Sequence, residues 1–289
     1  MNHEVTRFAP SPTGFLHLGH AHAALFAAKL AEDTGGRFLL RIEDIDRGRC
    51  RTEYEDAIFE DLRWLGLNWV EPVWRQSEHM TDYARALERL ESDGLVYPCF
   101  CTRKEIQAEI KNAVHAPHGP DGFLYPGTCR GLSKSERENR IGEGTAFALR
   151  LDTVRALRRA EAANGGPLGW TDRAGGRQKC DPTMFGDVVL ARKDTPTSYH
   201  LSVTLDDHAQ GVSLVTRGKD LFPATHIQRI LQALLDLDVP EYHHHELLCD
   251  PTGRRYAKRD QAHSLRALKN AGVTPGNVRA MAGFGNEQP

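Results

Sequence analysis

Apolar and polar positions follow two different periods along the first hundred residues. Short apolar runs near Val5–Phe8 and Phe38–Ile42 have the length and composition of buried strands. Residues 53–65 and 79–93 instead carry apolar side chains at helical spacing, and an Ala-rich stretch over about 19–31 predicts a further helix. Strands and helices in this order predict a parallel sheet with crossover helices, so the expected fold class is α/β.

The alternation stops in the middle of the chain and then resumes. From residue 99 to about 179 the sequence is rich in Gly, Pro, Arg and Asn, which predicts an inserted subdomain. The later patterns predict strands at 187–191, 199–205, 212–216 and 246–248, a helix over 223–235 and a helical tail over 263–282. The expected division is a first catalytic half over 1–98, an insertion over 99–185, a second catalytic half over 186–250 and a loop with a short helical tail over 251–289.

Composition excludes several classes of protein. The chain has 289 residues and a formal net charge of −2, and no apolar run approaches the roughly 20 residues of a membrane span. The first ten residues lack the apolar core of a signal peptide, so a cytoplasmic protein is expected. The net charge does not indicate a nucleic-acid partner, although arginines cluster locally at 47–51, 155–159 and 254–259. These clusters are interpreted either as RNA-binding faces or as solvated surface. No coiled-coil pattern is present, so we expect a monomer.

The turn between the first strand and the first helix carries the most specific pattern. Arg7-Phe-Ala-Pro-Ser-Pro-Thr-Gly-Phe-Leu-His-Leu-Gly-His20 leads from a strand through a rigid turn into a helix. A helix N-terminus presents backbone N–H groups and partial positive charge, which suit phosphate. His17 and His20 lie there and can both donate to a polyphosphate, while Gly19 allows close approach to the backbone. This pattern predicts a nucleotide site.

The same segment resembles the first signature of class I aminoacyl-tRNA synthetases, in the form used by glutamyl-tRNA synthetases. Glutaminyl enzymes have Pro-Glu-Pro-Asn-Gly where this chain has Pro-Ser-Pro-Thr-Gly. The resemblance covers essentially the whole chain. It implies a Rossmann-type parallel sheet with an inserted zinc-containing subdomain and a short helical C-terminal tail. It also implies ATP binding by His17, Gly19 and His20.

A second resemblance concerns the amino-acid site. Arg41-Ile-Glu-Asp-Ile-Asp-Arg47 follows the second strand; alone, such a run indicates a surface salt-bridge cluster. It is similar to the segment of glutamyl-tRNA synthetases whose glutamate contacts the substrate, which assigns that role to Glu43. Without the resemblance, Tyr199 would be interpreted as a core tyrosine at the start of a strand. The resemblance implies these L-glutamate-binding residues: Arg7, Ala9, Ser11, Glu43, Tyr199 and Arg217. Of these, Arg7 and Arg217 are expected to bind the carboxylate that distinguishes glutamate from glutamine.

The segment Arg255-Tyr-Ala-Lys-Arg259 resembles the Lys-Met-Ser-Lys-Ser motif of the same enzymes. The second lysine is kept as Lys258, but the first is Arg255 and the serine is Ala257. We expect Lys258 to stabilise the phosphates of ATP together with His17, His20 and Mg²⁺. The alternative is a degenerate, inactive loop.

Three of the six cysteines predict a structural zinc site, since Zn²⁺ takes four tetrahedral ligands and favours thiolates. Cys99, Cys101 and Cys129 leave one position, for which His115, His118 and Tyr125 compete on chemistry alone. Bacterial paralogues of the synthetases hold zinc with a Cys-x-Cys pair, a tyrosine and a cysteine four residues later, and this resemblance implies Tyr125. The alternative is three reduced, buried cysteines. The triplet at 243–245 is interpreted as ordinary sequence before a strand, not as metal ligands.

The chain ends at Pro289, where glutamyl-tRNA synthetases continue into anticodon-binding domains, so such a domain is expected to be absent. The chain thereby resembles the family of glutamyl-queuosine tRNA(Asp) synthetases. That implies tRNA-independent formation of glutamyl-adenylate, then transfer of glutamate onto queuosine at the wobble position, with the tRNA(Asp) anticodon stem-loop as partner. Alternatives are a minimal glutamyl-tRNA synthetase charging tRNA(Glu) or another acceptor, or a catalytically inactive RNA-binding paralogue.

Overall fold

The computed structural model describes residues 3–111, 118–119, 122–249 and 264–285. The strands of these residues are β1 Val5–Phe8, β2 Arg37–Ile42, β3 Val70–Arg75, β4 Val96–Cys99, β5 His118–Gly119, β6 Gly122–Phe123, β7 Ala148–Leu151, β8 Gly169–Asp172, β9 Gly176–Lys179, β10 Val189–Ala191, β11 Leu214–Gly218 and β12 Glu241–His245. The α-helices of these residues are α1 Leu18–Asp33, α2 Thr52–Trp64, α3 Met80–Ser92, α4 Arg103–Lys111, α5 Lys134–Gly142, α6 Thr153–Asn164, α7 Tyr199–Ala209, α8 Ala224–Leu235, α9 Leu265–Asn270 and α10 Pro275–Met281.

A parallel sheet forms the centre of the molecule. Strand β2 pairs in parallel with β1 and with β3, and β12 pairs in parallel with β11 and with β8. The two groups meet where the backbone N–H of Ser213 donates to the Val5 carbonyl at 3.1 Å. The chain therefore runs outward from β1 on one side and outward from β11 on the other. Such a switch point leaves a crevice outside the carboxyl ends of the strands, where α/β sheets bind ligands.

Helix α1 covers the sheet beside this crevice. Its buried face is mainly alanine, with Ala21, Ala24 and Ala27 fully buried, and small side chains let a helix lie close to the strands. Thr6 of β1 donates to the Ala27 carbonyl at 2.8 Å, which fixes strand and helix together. The predicted β1–α1–β2 unit is confirmed, with bounds that differ by one or two residues from the sequence pattern.

The stretch from 99 to 185 contributes strands to three sheets. Strand β7 lies between β4 and β10 in an antiparallel sheet, and β5 pairs with β6 as a hairpin. Strand β8 instead joins the central sheet, where Asp172 is opposite Tyr242 of β12. The middle of the chain therefore also places a residue, Asp172, next to the second half of the central sheet.

Two strand predictions were wrong. Residues 199–205 lie in helix α7, although Leu201, Val203 and Leu205 alternate as in a strand. Ser202 and Thr204 between them are buried as well, and a helix buried on most sides loses the period of an amphipathic one. The strand predicted at 246–248 lies earlier, at Glu241–His245, so the histidine triplet is in the sheet.

The apolar core has two large clusters. One contains residues of α3, α6 and α8, and the other contains residues of α1, α2, α9 and α10. The predicted helical tail is confirmed for the described residues as α9 and α10, which pack in the second cluster. No helix in the described part of the chain is long and apolar enough to cross a membrane.

Candidate active site

A cavity of about 240 Å³ opens outside the carboxyl ends of β1 and β2. That volume is below the ~300–1,000 Å³ of drug-sized pockets and suits a ligand the size of an amino acid. Its lining includes Ser11, Thr13, Glu43, Gln76, Arg192 and Tyr199. The first two belong to the turn between β1 and α1, so the cavity adjoins the start of that helix.

Glu43 directly follows β2 and lies against the turn after β1. Its backbone N–H donates to the Pro10 carbonyl at 3.0 Å, and its side chain is 12% exposed. Burial raises the pKa of Glu43 to about 7, against the opposing effect of the Arg41 and Arg7 guanidinium groups. A cationic group bound beside this carboxylate would restore the ionised form. Ala9 lies between β1 and Pro10, in the same turn.

Two buried arginines share one carboxylate behind Glu43. Arg7 of β1 donates to Asp207 through Nε at 2.9 Å and to the Thr216 carbonyl through Nη1 at 3.0 Å. Arg41 of β2 lies 2.8 Å from the same carboxylate and 3.7 Å from Glu43. Burial acts to raise the pKa of Asp207, but Arg7 and Arg41 outweigh it and the pKa is lowered. Arg41 also lies 3.8 Å from Asp206, so the two guanidinium groups have two carboxylates, Asp206 and Asp207, beside them.

The neighbouring carboxylate, Asp206, anchors the other wall of the site. It accepts from Gln76 Nε2 at 2.7 Å, from the Tyr83 hydroxyl at 2.8 Å and from Trp74 Nε1 at 3.2 Å. Strand β3, helix α3 and the turn between them are thus bonded to α7. Because Gln76 also lines the cavity, these bonds fix one of its walls.

Arg217 lies in β11 with neutral partners. It donates through Nε to His244 Nε2 at 3.1 Å, through Nη1 to the Tyr199 hydroxyl at 3.3 Å and through Nη2 to Thr225 Oγ1 at 2.6 Å. The residue is only 6% exposed, and no carboxylate of the described residues lies within 4.0 Å of its guanidinium. A buried cation without an anion is costly, so this arrangement favours an anionic ligand. Tyr199 connects Arg217 to the cavity.

The two histidines of the first signature shape the start of α1. His17 is the N-cap, its Nδ1 accepts from the Gly19 N–H at 3.1 Å, and His20 Nδ1 accepts from the His17 N–H at 3.2 Å. Since both Nδ1 atoms accept, each neutral ring carries its hydrogen on Nε2. A Cβ on Gly19 would lie 3.0 Å from the His17 ring. The arrangement suits donation to phosphate oxygens at a helix N-terminus.

The segment that resembles the Lys-Met-Ser-Lys-Ser motif, including Lys258, lies outside the described residues. Ser264, which follows it, forms an antiparallel bridge with His17, and the Leu265 N–H donates to the Leu16 carbonyl at 2.8 Å. The chain after the loop therefore returns to the first signature.

The three predicted cysteine ligands converge. The Sγ atoms of Cys99, Cys101 and Cys129 lie within 4.8 Å of one another, and the Tyr125 hydroxyl is 3.8 Å from Cys101 Sγ. A tetrahedral ion with Zn–S bonds of about 2.3 Å would hold its thiolates roughly 3.8 Å apart, so this donor set fits zinc. Tyr125 also accepts from the Cys129 N–H at 2.8 Å, which holds it beside the thiols. Nothing is described of the side chains of His115 and His118.

The structure thus brings Ser11, Glu43 and Tyr199 to one cavity, with Arg217 behind Tyr199. Arg7 lies deeper, paired with Asp207. Sequence reasoning missed the residues that hold these groups: Arg41, Asp206, Asp207, Asp172 and His244. The adjacent acidic pair after Leu205 was a usable signal, because two buried carboxylates on one helix require cations nearby.

Comparison with known proteins gives a consistent result. The pattern of the family described as "tRNA synthetases class I (E and Q), catalytic domain" matches residues 4–283. The Glutamyl-Q tRNA(Asp) synthetase of Rhodobacter capsulatus is 50% identical over 97% of this chain and 100% of its own length. The protein of the same name from Nitratidesulfovibrio vulgaris is 44% identical over 94% of this chain and 83% of its own.

Among solved structures, the chain is similar to a glutamate tRNA ligase from Elizabethkingia meningosepticum that was crystallised in complex with its amino acid. The TM-score is 0.72 at 28% identity. The match covers 90% of this chain and 52% of that one, so the chain spans about half the length of that enzyme.

Proposed function

This chain belongs to the family of class I tRNA synthetases for glutamate and glutamine, and we propose that it activates L-glutamate with ATP and transfers it to queuosine in tRNA(Asp). It is a ligase of the class I aminoacyl-tRNA synthetase type. The amino acid, the independence of activation from tRNA and the acceptor nucleoside are the proposed parts.

One observation carries the choice of glutamate: a carboxylate lines the cavity, and a buried guanidinium lies directly behind one of its walls. Glu43 supplies a carboxylate for an α-ammonium group, and Arg217, reached through Tyr199, supplies a guanidinium that no described carboxylate neutralises. Glutamine would leave that guanidinium without an anion, which is the unfavourable state of a buried charge. Because Asp207 balances Arg7, we assign the main carboxylate contact to Arg217 and a supporting electrostatic role to Arg7.

Activation needs no protein nucleophile. The α-carboxylate of glutamate attacks the α-phosphorus of ATP in line, and pyrophosphate leaves. The protein therefore positions the reactants and stabilises charge. His17 and His20 donate from Nε2 to phosphate oxygens at the start of α1, and Lys258 supplies a further cation. Class I synthetases use ATP with Mg²⁺, which binds mainly through phosphate oxygens. We also assign Ser11, which lines the cavity, and Ala9, in the same turn between β1 and α1, to glutamate binding.

Zinc is assigned a structural role. Cys99, Cys101, Tyr125 and Cys129 would hold it, and a closed four-ligand site contributes folding energy and no open position for chemistry. We place the RNA-binding role in the inserted stretch that this site would stabilise.

The acceptor assignment is supported by the relatives. Four proteins named Glutamyl-Q tRNA(Asp) synthetase are 42–50% identical to this chain over most of its length. In the proposed second step, a hydroxyl of the queuosine cyclopentenediol attacks the carbonyl of glutamyl-adenylate. An ester bond forms, AMP leaves with the electron pair of the broken acyl–phosphate bond, and the hydroxyl proton is lost.

Transfer of labelled glutamate to three RNAs tests the assignment: tRNA(Asp) containing queuosine, the same tRNA without queuosine, and tRNA(Glu). Each is used with and without its terminal adenosine. We expect label only on the queuosine-containing tRNA, and we expect it to persist when the adenosine is removed. Label on tRNA(Glu) that disappears with the adenosine would instead identify a minimal glutamyl-tRNA synthetase.

A further inference from the structure

The histidine triplet of β12 holds a residue that the proposed reaction does not use directly. His244 is 2% exposed and lies at the register position opposite Arg217 of β11. Its Nδ1 is 2.7 Å from Asp172 Oδ2, and its Nε2 accepts from Arg217 Nε at 3.1 Å. A continuous chain of contacts thus runs from Asp172 through His244 and Arg217 to the Tyr199 hydroxyl.

The partners determine where the ring hydrogen lies. An ionised carboxylate only accepts, so the hydrogen of the neutral ring is on Nδ1 and points to Asp172. Burial and the neighbouring Arg217 lower the pKa of His244 to about 4, against the effect of Asp172, so the ring is neutral. Its Nε2 then carries a lone pair, which accepts from Arg217 and lies 3.4 Å from Thr225 Oγ1.

Asp172 is itself held firmly. Its Oδ1 accepts from the N–H groups of Ala174 and Gly175 at 3.0 and 2.7 Å, and its Oδ2 also accepts from the His244 N–H at 3.2 Å. The carboxylate therefore has a fixed orientation at the end of β8. Asp172 lies 72 residues before His244 in the chain, and the pairing of β8 with β12 brings the two together.

We propose that Asp172 and His244 are positioning residues. Asp172 fixes the tautomer of His244, and His244 thereby fixes the orientation of Arg217 toward the side-chain carboxylate of the substrate. The inference rests on the proposed function only for the identity of the ligand, glutamate. A guanidinium binds a carboxylate well only when its planar N–H groups face it, so rotation about the Arg217 side chain removes the contact.

The most informative variant is Asp172→Asn, because the asparagine side chain has nearly the size and shape of the aspartate side chain. The turn N–H groups keep the amide oxygen toward Ala174 and Gly175, so the amide nitrogen faces His244 Nδ1. The ring hydrogen then moves to Nε2 and opposes the Arg217 Nε–H, a wrong-tautomer effect known from carboxylate–histidine pairs in hydrolases. We expect the KM for glutamate in pyrophosphate exchange to rise about ten- to a hundredfold, with the KM for ATP changed less than about threefold.

Two substitutions of His244 separate positioning from packing. His244→Gln places a side-chain oxygen near the former Nε2 and is expected to keep the glutamate KM within about threefold of the wild type. His244→Asn reaches only toward Asp172 and is expected to raise it as Asp172→Asn does. The matched control is Asp181→Asn, an exposed turn aspartate that accepts from Thr183.

Nitrogen–hydrogen couplings of ¹⁵N-histidine-labelled protein read the tautomer directly. We expect Nδ1–H at His244 in the wild type and Nε2–H in Asp172→Asn. Equal rises in the KM for glutamate and for ATP, a wild-type glutamate KM in folded Asp172→Asn, or an unchanged tautomer would each overturn the inference. Absence of glutamate-dependent exchange in the wild type would instead overturn the proposed function, and the coupling measurement would still decide the tautomer.

Discussion

At the scale of single residues, three buried arginines of the site differ in their counterions. Arg7 and Arg41 share Asp207, whereas Arg217 has His244, Thr225 and a tyrosine hydroxyl as neutral partners. The pairing of the first two makes them part of the framework. The third has no carboxylate of the described residues within 4.0 Å of its guanidinium, which makes it the better candidate for specificity.

Replacing Arg217 by methionine tests this difference. Because the change removes a buried cation without a described counterion, we expect the melting temperature without ligand to stay within a few degrees of the wild type. Glutamate at 100 times its Kd stabilises a binding protein by about 2.7 kcal/mol, and this ligand-induced rise in melting temperature should disappear in Arg217→Met. Glutamate-dependent stabilisation of the variant equal to that of the wild type would contradict the assignment.

If Glu43 binds the α-ammonium group as proposed, glutamate binding should depend on pH. Its raised pKa of about 7 means that the carboxyl is mostly neutral below pH 7 and mostly ionised above it. Only the ionised form attracts the α-ammonium group, so binding is strongest above pH 7 and weakens as pH falls. At pH 6 about a tenth of the groups are ionised, and we expect the KM for glutamate to be about tenfold higher than at pH 8.

Pyrophosphate exchange measured from pH 6 to pH 8.5 at varied glutamate would follow this curve. Glu43→Gln removes the titrating group, so its KM should be high and nearly independent of pH over the same range. Persistence of the wild-type pH profile in Glu43→Gln would assign the dependence to another group, such as Asp206, whose pKa burial also raises.

At the scale of elements, the sequence predicts what is encoded locally. The β1–α1–β2 unit follows from adjacent apolar runs and a Pro/Gly turn, and its residues Glu43 and Ser11 reach the cavity as expected. Helix α7 was predicted as a strand because its surroundings bury polar as well as apolar positions. The partners of Arg217 were beyond prediction, since Asp172 lies 72 positions before His244 and only the pairing of β8 with β12 joins them.

The start of α1 gives a prediction in which stability and activity separate. Gly19→Ala adds a Cβ 3.0 Å from the His17 ring, so the ring must shift. Alanine is favoured over glycine in a helix by up to about 1 kcal/mol, so the free energy of unfolding should not fall by much. We expect a rise of about tenfold in the KM for ATP with little change in the melting temperature.

Thermal unfolding and exchange kinetics at varied ATP would measure both quantities. Glu32→Ala, at the exposed far end of the same helix, is the matched control and should leave the KM for ATP unchanged. A Gly19→Ala protein with the wild-type KM for ATP would separate the His17 ring from nucleotide binding.

At the scale of the whole molecule, the cysteine group forms a separate small core. Tyr97, Cys99, Phe100, Tyr125 and Cys129 cluster apart from the two large apolar clusters. One link to the rest of the fold is Asp187, which accepts from the Tyr97 hydroxyl at 2.5 Å and from the Thr153 N–H at 3.1 Å. The cavity residues belong to other elements, so damage to this core should affect the two steps of the proposed reaction unequally.

Cys129→Ser tests both the ligand set and this separation. Loss of one thiolate should reduce bound zinc, measured by elemental analysis, from about one ion per chain to well below half, because a structural site requires four donors. We expect a lower melting temperature and loss of transfer to RNA, while glutamate-dependent pyrophosphate exchange stays within a few-fold of the wild type. Cys249→Ser, at an exposed cysteine outside the cluster, controls for thiol loss as such. Equal loss of exchange and of transfer would mean that the cysteine core also supports the glutamate cavity. The small core and the central sheet would then unfold as one cooperative unit.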